Sequence, residues 1–115
     1  MDVFHDVNEF SGGGHSEFRI LTHIDDVLVM MGSFDLDYYH DVEVAFYDVL
    51  SSTCPTELRW PRFSDGGAAN EKRRYLIADD AGDYEVVAGR VEVTFERVYH
   101  YDRGALLKPG ERIAS

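Results

Sequence analysis

The stretch HDVEVAFYDV occupies residues 40–49, and GRVEVTFERV occupies residues 89–98. Five of the ten positions match: Val42 with Val91, Glu43 with Glu92, Val44 with Val93, Phe46 with Phe95 and Val49 with Val98. Apolar residues recur at every second position. Val42, Val44 and Phe46 fall on one face of an extended chain, as do Val91, Val93 and Phe95, with Glu43, Ala45 and Tyr47 or Glu92, Thr94 and Glu96 on the other. Period-2 alternation of β-branched and aromatic residues is the pattern of a half-buried antiparallel strand. Both stretches are therefore read as core strands with the Val-Val-Phe face buried. The copies differ in charge, the first being acidic and the second carrying Arg90 and Arg97.

Working outward, the β signal continues. EFRILTH and VLVMMGSF flank Asp25-Asp26, and KRRYLIA and DYEVVA flank DDAG, so each pair reads as a hairpin. VLVMM is apolar on both faces and belongs at the centre of a sheet. Pro61 in ELRWPRF lacks a ladder donor and suits an edge. Gly89 offers a bulge or bend in the long segment that contains the second copy. The opening VFHDVNEF reads as a further strand, and residues 68–74 as one short helical turn after Asp65. The expectation is a mainly β fold: one antiparallel sheet domain over residues 1–115, of about seven to eight strands, with at most one short helix. Such a sheet forms a sandwich, an open barrel or a strongly curved sheet. The tail from about residue 104, with its Pro-Gly turn, is expected to fray.

Composition narrows the function classes. Seven Phe, seven Tyr and one Trp suffice for a core, since burying a large aromatic contributes roughly 1.5–3 kcal/mol. The single Cys54 excludes an internal disulfide and a multi-thiolate zinc site. The N-terminus lacks the basic and apolar regions of a signal peptide, and VLVMM is far too short to span a bilayer. A soluble, cytoplasmic, bacterial-type protein is expected. Residues 1–58 hold twelve acids and the one base Arg19, so the whole formal charge of −11 falls there; residues 59–115 hold ten acids and ten bases. Such a field repels nucleic acid and anionic membrane and attracts basic proteins.

Candidate chemistry is sparse. His5-Asp6 and His40-Asp41 form His-Asp doublets of a kind that binds metal or orients a general base. On strands, adjacent side chains point to opposite faces, so each doublet would be split. A divalent metal held by His5, His23 and His40 with nearby carboxylates is the alternative, suited to zinc, manganese or iron. Asp35, Asp37 and Asp41 crowd DLDYYHD, but the loop lacks the Gly and the final Glu of a calcium-binding EF-hand. SGGGHS lacks the Lys-Ser/Thr pair of a phosphate loop, and Cys54 has no His nearby in sequence. No cofactor is expected.

FHDVNEF, then an acidic hairpin, then VEVAFYDV, resembles small acidic β-rich bacterial proteins of uncharacterised function, among them immunity proteins of polymorphic toxin systems. The resemblance covers residues 4–10 and 42–49. It implies a non-enzymatic acidic binding protein whose partner is a basic toxin domain, often a nuclease; an accessory subunit is the related expectation. The acidic face would centre on Asp35, Asp37, Asp41 and Glu43, with Tyr38 or Tyr39 as apolar anchor. The acidic copy of the repeated strand would face the partner, and the copy with Arg90 and Arg97 would face away. Alternatives from other classes are a small metal-dependent or His-based enzyme and a small-ligand-binding β-barrel. A homodimer is compatible with all of them.

Overall fold

A computed structural model describes residues 3–13, 16–34, 36 and 39–99. Its elements in chain order are α1 (His5–Gly12), β1 (Glu17–Ile24), β2 (Val27–Ser33), β3 (Tyr39–Tyr47), β4 (Ser51–Ser52), β5 (Glu57–Arg59), β6 (Arg62–Ala69), β7 (Lys72–Ala78), β8 (Asp83–Ala88) and β9 (Arg90–Tyr99). The strands form two open antiparallel sheets, ordered β5-β1-β2-β3-β9 and β4-β8-β7-β6. The fold is the expected mainly β one: among the described residues, nine strands in two sheets with one short helix, neither sheet closing into a barrel. One core joins the layers: Phe18, Leu28, Met30, Val42, Val44 and Phe46 of the first sheet meet Phe63, Tyr75, Ile77, Val86 and Ala88 of the second. Phe18 lies 5.5 Å from Phe63 and Phe46 5.5 Å from Tyr75, ring centre to ring centre.

The two copies of the repeated stretch are neighbours. β3 and β9 pair antiparallel with Val42 opposite Phe95, Val44 opposite Val93 and Phe46 opposite Val91. Like residues thus exchange places about a local two-fold axis between Val44 and Val93. This settles the contrast in charge. Asp41 on β3 accepts hydrogen bonds from Arg97 Nε and Nη2 at 2.7 and 3.4 Å. Arg97 also lies over the Tyr39 ring at 4.3 Å, and Arg90 over Tyr47 at 4.0 Å. The basic copy does not face away from the acidic one; it lies beside it, and its arginines meet the first copy's acid and aromatic side chains.

The hairpin at Asp25-Asp26 forms, with Asp25 at φ 57°, and the DDAG segment links β7 to β8. Gly89 alone carries the chain from β8 to β9, and hence from one sheet to the other. A Cβ there would lie 2.9 Å from Asp48 Cβ, so the corner admits only glycine without a shift. On the core face, Gly32 is paired with Phe18, whose ring lies over it; a Cβ on Gly32 would come 2.5 Å from that ring.

Three expectations are corrected. VFHDVNEF is not a strand: residues 5–12 form α1. Phe4, Val7 and Ser11 are buried at spacings of three and four, and the helical period wins because it buries one stripe against the sheets. Residues 68–74 are not a helical turn but the β6–β7 hairpin, whose corner Asn70 takes φ 61°. Asn tolerates that left-handed conformation. Phe95 is not largely buried; it is 47 % exposed, whereas its counterpart Phe46 is fully buried. β3 has neighbours on both sides, while β9 is an edge strand whose pairing slips between His40 and Val42, opposite the Phe95 end.

Candidate functional site

The residues singled out from the sequence separate into several places. Asp35, Asp37 and Tyr38 lie outside the described residues. Tyr39, Asp41 and Glu43 lie along β3. The Asp41 side chain is 18 % exposed and bound to Arg97. Glu43 is 14 % exposed, and its Oε2 shares a 2.8 Å hydrogen bond with His40 Nε2, a ring 3 % exposed. These three are therefore engaged within the fold, Asp41 and Tyr39 by Arg97 and Glu43 by His40.

The other histidines are scattered. His5 is exposed on α1 and pairs with Glu9 one turn on, at 3.5 Å. The His5-Asp6 doublet is therefore on a helix, not a strand. His23 is exposed near the end of β1. Among the described residues, no group of three or more His, Cys, Asp or Glu side chains is placed to hold a metal ion. Cys54 is half-buried, and burial pushes its thiol up to about 11, with the Ser52 hydrogen bond opposing and Asp79 adding to the rise. Such a thiol is protonated at neutral pH, the opposite of an activated nucleophile.

What the fold assembles instead is an aromatic cluster contributed by α1, β9 and the residue after β2. Phe10 on α1 lies 4.8 Å from Phe34, which directly follows β2, and 6.3 Å from Phe95 on β9, ring centre to ring centre. Phe10 also meets Phe18 edge-on at 6.2 Å, which ties the cluster to the core. Phe34 is 44 % exposed and Phe95 47 %. Beside them an open cleft of ≈ 510 Å³ is lined by His5, Asp6, Glu9 and Phe95. Asp6 makes no ion pair among the described residues, and Glu9 is matched only by His5. The surface is thus apolar at its centre and acidic at its margin, the composition of a protein-binding patch.

Sequence reading missed this patch because it took residues 3–10 for a strand. Read as a helix, the same residues put Phe10 beside the core and leave His5, Asp6 and Glu9 in solvent. One signal was present: Phe34 directly precedes the acidic connection that holds Asp35 and Asp37.

No protein-family model, curated protein or solved structure matches the chain. No helix among the described residues is long and apolar enough to cross a membrane.

Proposed function

We propose that this chain is a non-enzymatic acidic binding protein whose partner is a basic protein, as in the immunity proteins that its sequence resembles. The observation that carries the reading is the exposed Phe10–Phe34–Phe95 cluster beside a cleft lined by Asp6 and Glu9. Half-exposed aromatics supply the desolvated anchor of an interface, and marginal carboxylates set association rate and selectivity. The formal charge of −11 steers a cationic surface toward them. Asp35, Asp37 and Tyr38 follow Phe34 directly in sequence and are the further candidates for partner contact in this reading.

The test is comparative capture from a lysate of the source organism. Wild type should retain a protein of basic isoelectric point, released by raising salt. The variant Asp6→Lys with Glu9→Lys and Phe34→Ser should fold and lose it. Retention of the same protein by the variant, or capture of no basic protein by wild type, refutes the reading.

A further inference from the structure

The repeated strand has a second implication, argued from the sheet edge alone; because it covers Phe95, it competes with the basic partner for that side chain. A sheet edge offers unpaired backbone groups, and proteins guard their edges with short strands, prolines, bulges or covering side chains. Three of the four edges here are guarded. β4 has two residues and is soon followed by Pro55; β5 has three and is followed by Trp60, at φ 50°, and Pro61. β6 is covered from α1: Asn8 Nδ2 donates to the Phe63 carbonyl and Asn8 Oδ1 accepts from the Phe63 N–H, both at 2.8 Å. Its far end is broken by an irregularity between Asp65 and Ala68, with Gly67 at φ 94°.

β9 carries one such device, the irregularity beyond Phe95 where Phe95 and Val98 face Val42 and His40; among the described residues, its stretch from Arg90 to Phe95 has none. The strand runs ten residues without proline or lysine. Among the described residues, no strand lies on its outer side. Its charges, Arg90 and Arg97 against Glu92 and Glu96, cancel on a chain of formal charge −11. A strand of this pattern already has a demonstrated partner in the molecule, namely a V-E-V-x-F strand running antiparallel about the middle valine.

We infer that the open edge of β9 takes the β9 of a second copy in that same register. Val93 then lies on the dimer axis opposite its own equivalent. Val91 of each copy packs on Phe95 of the other, and Glu92 faces Thr94. Two five-stranded sheets become one of ten strands, and the half-exposed Phe95 gains the cover that its counterpart Phe46 has from both neighbours. The register also sets Arg90 of each copy opposite Glu96 of the other.

Sedimentation equilibrium of the full chain, from micromolar to several hundred micromolar, reads the pairing. The expected species is a dimer of twice 13.1 kDa. Its population should rise with salt, because screening relieves repulsion between two copies of charge −11. Docking on a basic partner weakens with salt, so the two proposals fail separately. The register is read by cross-linking. Under mild oxidation Val93→Cys, on the axis, should join two chains through a disulfide in at least tenfold excess over Thr94→Cys, which is not opposite itself. Wild type, whose only thiol is the half-buried Cys54, should not cross-link. A chain that stays monomeric throughout overturns the inference, whatever other strand the edge accepts. So does a dimer in which Val93→Cys cross-links no faster than Thr94→Cys.

Discussion

Gly32→Ala should destabilise this protein although it adds only a methyl group to a strand. The added Cβ would lie 2.5 Å from Phe18 Cε2 and Cζ and 2.8 Å from Cε1. Carbon atoms pack at about 3.5–4.0 Å, so the ring must move by roughly 1 Å. It has nowhere open to go, since Phe18 is fully buried with Phe63 at 5.5 Å on one side and Phe10 at 6.2 Å on another. Overpacking of this kind costs about 1–3 kcal/mol. Removing glycine's freedom from the unfolded chain returns about 0.4–1 kcal/mol. The net loss is of the order of 1–2 kcal/mol, or a fall in Tm of roughly 4–10 °C for a chain of this size. Thermal unfolding followed by circular dichroism measures it. Trimming the ring should relieve the clash: adding Phe18→Leu to Gly32→Ala should cost less than Phe18→Leu costs in wild type. Equal stability of Gly32→Ala and wild type, or simple additivity of the two changes, refutes the argument.

Phe46→Ala should cost about 3–5 kcal/mol in urea unfolding, as large-to-small core changes do, while its half-exposed counterpart Phe95→Ala should cost the monomer about 1 kcal/mol, in proportion to its smaller buried area. Asn8→Ala removes both hydrogen bonds to Phe63 and leaves backbone groups on β6 unmatched, so it should lose about 1–3 kcal/mol, and hydrogen exchange at the Phe63 amide should accelerate. The raised Cys54 pKa means that iodoacetamide at pH 8 should label the unfolded chain much faster than the folded one. The same shift favours the folded state fully below the unfolded thiol's pKa of about 8.5; that contribution declines as pH rises toward about 11, and Cys54→Ser should flatten this alkaline slope. At the acid end, Asp65 is held below the usual carboxylate range by the Gly67 N–H and the Arg73 guanidinium. Its contribution is present above the ordinary aspartate range and disappears as pH falls through the lowered value, so Asp65→Asn should reduce the acid sensitivity of unfolding.

Strand content was legible because alternation is local. Val42, Val44 and Phe46 announce a buried face within five residues, and the structure buries all three. Which strands are neighbours was not legible, because pairing is a relation between distant segments. The repeat did show that β3 and β9 want the same inward face, but not that they lie side by side. Phe95 was misjudged for this reason: the same alternation describes a central strand and an edge strand, and only the sheet order separates them. The helix was missed because Val3, His5 and Val7 also fit a period of two. Phe4, Val7 and Ser11 decide otherwise once Ser11 counts as buried, donating to the Pro61 carbonyl at 2.6 Å. The aromatic surface was illegible because Phe10, Phe34 and Phe95 come from three separate elements.

The pairing of β3 with β9 has a consequence for synthesis. The chain emerges from the ribosome from its N-terminus, so β1, β2 and β3 can form their hairpins early, while the strand that covers the far side of β3 follows about fifty residues later. At typical elongation rates of about 5–20 residues per second that interval lasts several seconds. Throughout it β3 is an uncovered terminal strand bearing V-E-V-A-F, the pattern its eventual neighbour pairs with. A nascent chain on an adjacent ribosome carries the same strand in the same condition. Asp41, not yet matched by Arg97, then acts as a sentry together with Glu43: their negative charges repel an identical strand until the chain's own β9 arrives.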